Sequence, residues 1–367
     1  MPTTTDFTYV VNSVFVHLGA ALPKHLKDNI SRHRKLFPNQ KLTLIVDRMP
    51  PEDLPQGIQI FTYVAEKNDL KILDEMDKVS DFHFRDGFWK YTFLRLFALE
   101  KFHETYPDEP ILHIESDVIL MPNFPWEKFK SISQLAWLNV NSLCDVASLV
   151  FSPNSNETHF FVNELRIIAK EDPSTTDMLS MREFALRNPS HHTYLPSLTE
   201  RNSRVPDVYD ENAKSQIANF QGYFDPSAIG MWNFGQDPKN LYGFRNRFHL
   251  DSSYDLNPSK SEYFFEESRL FDSDGLDIYS LHVHSKFLPL FSENWALSLA
   301  KELRKAREKR RVTMFNPRAF IGAIKDRKLK DNVWLVFANI PGIKYLRKVT
   351  FIEKLKDKIK GILKIKM

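Results

Sequence analysis

The chain has 367 residues, 42% hydrophobic and 26% charged, the composition of a folded protein and not of a disordered one. Its single cysteine, Cys144, excludes an intramolecular disulfide and a cysteine-based zinc site. The net charge of +3 conceals an asymmetry: residues 301–367 hold 14 Lys and 7 Arg against 6 acids, or +15, which leaves −12 for the first 300 residues.

The N-terminal stretch "MPTTTDFTYVVNSVF" lacks the basic segment of a secretory signal, and no apolar run reaches the ~18 residues needed to span a bilayer. A cytoplasmic location is therefore expected. "YVVNSVFVHLG" (9–19) reads as a strand stopped by Gly19, and 22–38 has helical apolar spacing. Short strands follow at 41–48 and 58–64, then a long helix over 87–107 ended by Pro107. "PILHIESDVIL" (110–120), "LAWLNV" (135–140) and "VASLVFSP" (146–153) read as further strands, with 155–188 mainly helical. Periodicity fades between 189 and 275, returns as a strand at 276–286, and ends in a helix from about 293 that runs into "KELRKAREKRR". The alternation predicts an α/β fold with a mostly parallel central sheet flanked by helices. Only 11 glycines occur and neither GxGxxG nor GxxxxGK[ST] is among their patterns, so a Rossmann dinucleotide loop and a P-loop are both disfavoured.

The chemistry concentrates in two places. In "ILHIESDVIL", Glu115 and Asp117 stand two apart in a strand and so project from one face, roughly 6–7 Å apart. Carboxylates this close need a cation or a proton between them, and paired hard oxygens suit Mn²⁺ or Mg²⁺. Taken alone, such a pair equally describes two solvated acids at a strand end. "LHVHSK" repeats the spacing with His282 and His284, followed by Lys286. Imidazoles are ligands for Mn²⁺-type metals, and a lysine on the same face suits a phosphate. Together the two segments describe a metal–diphosphate site better than either does alone.

These pieces, with the Lys/Arg-bearing helix "FWKYTFLRLFALEKF", resemble the nucleotide-sugar-dependent glycosyltransferases of the GT-A fold. The resemblance spans roughly 8–300 and implies a GT-A-like (Rossmann-like) catalytic domain at 1–300. It places Asp117 as the last acid of the family's DxD motif, the metal ligand, and Glu115 where the first Asp usually stands, in contact with either the metal or the ribose of the nucleotide sugar. One of His282 and His284 takes the part of the late metal-binding His. Arg95 and Lys286 fit diphosphate contacts, His17, Gly19 and Asp47 the base and ribose, and Lys90 joins them among the nucleotide-sugar-binding residues. The implied activity moves a sugar, hexosyltransferase-like, from a nucleoside diphosphate donor, a UDP-sugar by expectation, to a glycan or lipid-linked acceptor of surface polysaccharide. Asp177 and Asp225 are the acids proposed for catalysis.

The tail, 301–367, forms a separate basic helical extension in this reading. "FIEKLKDKIKGILKIKM" (351–367) spaces its apolar residues helically and fills the other face with Lys, the pattern of a helix lying on an anionic membrane. Peripheral attachment to the inner membrane face is expected, and nucleic acid is not an expected partner. Competing readings are a sugar-nucleotide nucleotidyltransferase, a metal-dependent phosphoesterase, and a non-enzymatic membrane-bound scaffold or lectin.

Overall fold

The computed structural model describes residues 9–19, 21–48, 54–79, 88–197, 219–237, 244–246, 254–308 and 313–315. The chain divides into two compact units, Met1–Gln236 with Arg247–Arg311, and Asp237–Asn246 with Val312–Met367. The boundary expected at residue 300 falls within a helix of the first unit, and the amphipathic segment 351–367 lies outside the described residues.

The first unit opens with β1 (Asn12–His17), α1 (Lys24–Leu36), β2 (Lys41–Val46), β3 (Gln59–Thr62), α2 (Lys67–Val79) and α3 (Phe88–Thr105). There follow β4 (Ile111–Ile114), β5 (Val118–Leu120), β6 (Leu135–Asn139), β7 (Asp145–Ser152), α4 (Ser155–Glu171), α5 (Asp177–Arg187) and β8 (His192–Tyr194). The seven-stranded sheet runs β3-β2-β1-β4-β7-β6-β8. Its first four strands are parallel, β7 is antiparallel to both neighbours, and β8 is parallel to β6. The fold is mixed α/β around a mostly parallel sheet flanked by helices, as the sequence leads one to expect.

The alternation of side chains across the sheet explains its two covers. Val14, Ile111 and Val150 face a layer built from α2, α3, α4 and α5. Their neighbours Phe15, Leu112 and Phe151 face a second layer with Leu26 and Ile30 of α1. Strands apolar on both faces are what a doubly covered sheet requires. Helix α3 is buried on most sides, from Phe93 and Leu94 through Leu96, Phe97, Ala98 and Leu99, because it packs beneath the sheet and against its neighbouring helices.

A third cluster gathers around β9 (Gly222–Tyr223), α6 (Ala228–Phe234), β11 (Tyr263–Glu266), β12 (Arg269–Asp272), β13 (Asp277–Ile278), β14 (Ser280–His282) and α7 (Trp295–Arg307). A small sheet runs β11-β12-β13-β9, while β14 pairs antiparallel with β5. β10 (Phe244–Asn246) and β15 (Thr313–Phe315) pair antiparallel within the second unit. Three expectations change. The single strand 110–120 is two strands joined by a turn at Glu115–Asp117, and 276–286 is β13 and β14, which join different sheets. Within 189–275 the described residues hold β8, β9, β10, β11, β12 and α6, whose short strands carry too few residues for a periodic signal. No helix among the described residues is long and apolar enough to cross a membrane.

Candidate active site

The parallel strands β1, β2 and β4 end together at His17, Val46 and Ile114, and ligands of open α/β sheets bind at this edge. Just past β4 the chain turns: Val118 N–H donates to the Glu115 carbonyl at 3.0 Å, and Glu115 N–H to the Ser148 carbonyl of β7 at 3.0 Å. The acids thus ride on a tight turn and not on one extended strand. Helix α1 braces the turn from below. Asn29 Nδ2 donates to the carbonyls of Val118 at 2.7 Å and Ser116 at 3.2 Å, and His25 Nε2 lies 3.3 Å from Ser116 Oγ.

The pairing of His282 with Val118 carries the imidazole to the acids. His282 Nε2 lies 3.4 Å from Asp117 Oδ1 and 3.6 Å from Glu115 Oε2, and single ligand atoms of the three residues lie within 4.8 Å of one another. Asp117 is 7% exposed and His282 6%. The chain then leaves the strand, with His284 N–H bonding back to the His282 carbonyl at 2.9 Å, so the two imidazoles are not held on one strand face. Their ring centroids are 5.9 Å apart. Lys286, at φ 51°, returns its ammonium to Asp117 Oδ2 at 3.0 Å.

Electrostatics follow from this packing. Burial works against the charge on Asp117, but Lys286 and His282 more than offset it and hold its carboxyl well below the usual range. Burial likewise disfavours His282 as a cation, yet Asp117 and Glu115 outweigh it and raise its pKa. Arg95 forks between two acids, bonding Glu115 through Nη1 and Asp177 Oδ2 through Nη2 at 2.9 Å. Burial dominates at Asp177, whose pKa is raised despite Arg95.

The remaining candidates sit as follows. Gly19 N–H donates to Asp47 Oδ2 at 2.9 Å, joining the loops after β1 and β2. Gly19 has φ +90°, and a Cβ there would lie 2.6 Å from the Tyr91 ring, so only glycine suits the position. His17 ends β1 half-buried. Lys90 is 3.9 Å from Asp74 of α2. Asp225 has its carboxylate taken up by backbone N–H groups: Ser227 and Ile229 at 2.9 Å, Gly230 at 2.8 Å and His282 at 3.2 Å. It therefore ties α6 to the histidine strand. His25, Asn29 and Tyr91 were not anticipated; the polar stripe His25–Asn29–Arg32 at helical spacing among Leu26 and Ile30 is the trace they leave in the sequence.

A small divalent ion suits the donor set. Two carboxylate oxygens and an imidazole nitrogen are the hard and borderline ligands that Mn²⁺ takes. Ligands at roughly 2.1 Å around an octahedral ion sit about 3 Å apart, near the spacing found here. Glu100, Glu104 and His159 form a second such group, but Glu100 is committed to Arg166 and Glu104 to Lys101.

No family model matches the sequence, and no curated protein does. Among solved structures, the chain is similar to the apo glycosyltransferase GlyE of Streptococcus pneumoniae TIGR4 at 11% identity and TM-score 0.33, covering 52% of this chain and 45% of that one. It is similar to the PaToxG glycosyltransferase at 8% identity and TM-score 0.30, covering 49% and 70%. The galactosyltransferase LgtC, solved with donor and acceptor sugar analogs, aligns at 10% identity and TM-score 0.34, covering 52% and 74%. Likenesses this distant concern the backbone arrangement and assign no chemistry.

Proposed function

We propose that the chain is a metal-dependent glycosyltransferase that moves a hexosyl group from a UDP-sugar to a glycan or lipid-linked acceptor in surface polysaccharide assembly. The observation that carries this reading is the meeting of Glu115, Asp117 and His282 beside Lys286, at the strand edge where Gly19 and Asp47 also lie. Mn²⁺ held there would offset the charge developing on the departing diphosphate. Lys286, a third exposed and 3.0 Å from Asp117 Oδ2, is the cation proposed to follow that charge. Arg95 acts one step back by fixing Glu115 and Asp177. Asp177, with its raised pKa, is the acid proposed to face the transferred sugar; Asp225 is proposed to set the position of His282.

Thermal shift against a panel of nucleotide sugars tests the reading. With Mn²⁺ and a cognate donor at a hundred times its Kd, stabilisation of about 2.7 kcal/mol is expected. Asp117→Asn should lose the Mn²⁺-dependent part. The reading fails if no nucleotide sugar stabilises the protein, or if the gain survives that substitution. Hydrolysis of simple phosphate esters at this site would favour a phosphoesterase instead.

We further propose that residues 351–367 attach the enzyme to the anionic inner face of the membrane, on the strength of their lysine-lined apolar pattern. A chain ending near residue 312 should lose flotation with anionic liposomes, and equal flotation with and without the tail would refute attachment.

A further inference from the structure

Arg32 stands out among the buried groups that this activity does not use. It is 4% exposed, and its guanidinium stacks over the Trp295 ring at 4.0 Å. Nη2 donates to the Leu120 carbonyl at 2.6 Å, while Nε and Nη1 have no hydrogen-bond partner among the described residues. A guanidinium without an opposing carboxylate is costly to bury. That cost is visible as a pKa lowered to about 9 by burial.

Arg32 lines a cavity of about 230 Å³ between α1 and the start of α7. The two acids on the cavity wall do not neutralise it. Asp28 pairs with Lys24 at 2.8 Å, and Glu293 with Lys35 at 2.6 Å. Ser31 and Ser292 add hydroxyls to the lining. The first turn of α7 carries no acidic residue, and its Asn294 cap makes no side-chain capping bond, so the positive end of the helix also faces this region. A buried unpaired cation, a helix N-terminus and a polar cavity meet in one place.

We propose that this cavity binds a small oxyanion, the phosphate or carboxylate group of a metabolite, as a second site separate from the acidic one. Seven residues of α1, about 10 Å of helix, separate Arg32 from His25 at the Ser116 turn. Phe291 of the cavity wall also meets the His25 ring, at 5.8 Å between centroids. The two sites therefore share α1 without sharing a side chain, and the proposal stands whether or not the transferase reading does.

The test is thermal denaturation of the full chain at constant ionic strength, titrated with inorganic phosphate, citrate or chloride. Wild type should gain several degrees, saturably, with phosphate or citrate and nothing with chloride; a response to one alone identifies the group. Lys286→Ala should keep the gain, which separates it from binding at the acidic site. Arg32→Met, which retains bulk and removes the charge, should lose it. Ser31→Glu supplies a carboxylate from within, so it should be more stable than wild type without added anion and should not respond further. No saturable gain with either oxyanion overturns the proposal. So does an undiminished gain in Arg32→Met or, should that variant fail to fold, in Ser31→Glu.

Discussion

Arg95 does more for the site than its helix position suggests. Its two arms reach Glu115 at the turn and Asp177 at the first residue of α5, so one buried guanidinium fixes acids from two elements. A planar fork can do this and an ammonium cannot. Removing it strands two poorly exposed carboxylates, a loss of about 3–5 kcal/mol for a broken buried pair. Arg95→Met should therefore lower the urea-derived stability by about that amount, with Arg95→Lys in between. Lys286 provides the contrast. A third exposed, it should cost under about 1 kcal/mol on replacement by Ala, while weakening donor binding. Similar losses of stability in both variants would show that Arg95 is not the keystone described here.

At the scale of elements, what places the histidine is the contact of α6 with β14. Gly230 packs its Cα against the His282 carbonyl so closely that a Cβ would overlap the oxygen, with Asp225 Oδ2 3.1 Å away. Backbone contact of this kind admits only glycine. Gly230→Ala should cost about 3 kcal/mol, at the upper end for overpacking, and should weaken Mn²⁺-dependent stabilisation although residue 230 offers the metal no ligand atom and meets His282 only at its backbone. Unchanged metal response in a destabilised variant would separate the packing from the site. None of this is readable from the chain alone. β1, α1, β2 and α3 were legible because apolar spacing, Gly19 and Pro107 mark them. The acid turn was not, because Ile111–Ile114 and Val118–Leu120 form one β-rich run with no Gly or Pro at the break. Residue chemistry pointed to Asp117, His282 and Lys286 even so, since close acids, imidazole and lysine are individually costly to bury. Asp225 shows the reverse: an acid beside glycines and aromatics reads as available, yet backbone N–H groups occupy it. α2 left no clear mark because its buried face is narrow, Ile72, Leu73 and Met76 with Asp69.

Across the whole molecule, both layers covering the sheet contain imidazoles buried in the neutral form. His33 sits among Phe15, Phe37 and Trp126 on one side, and His192 lies against Trp137, centroids 4.1 Å apart, on the other. Burial pushes each down to about 3 from 6.5, helped by Arg32 at His33 and by Arg182 at His192. Each Nε2 lacks a hydrogen-bond partner among the described residues, so a proton arriving there would be unmet. The sign follows directly. Below pH 6.5 the unfolded chain binds a proton that the native imidazole refuses, so stability falls with acidification by about 1.4 kcal/mol per pH unit for each histidine. Asp145 works the other way. Burial raises it to about 6 from 3.8, so between those values the native state holds its proton more tightly, and acidification returns about as much as one histidine removes. Urea denaturation at pH values from about 7 to about 4.5 separates the two contributions. His33→Phe should lose stability less steeply than wild type on acidification, the gap changing by about 1.4 kcal/mol per unit, and Asp145→Asn should lose it more steeply. Parallel profiles for wild type and His33→Phe would mean that the imidazole is protonated in the folded protein, and that the aromatic layer around it admits a charge its packing gives no means to solvate.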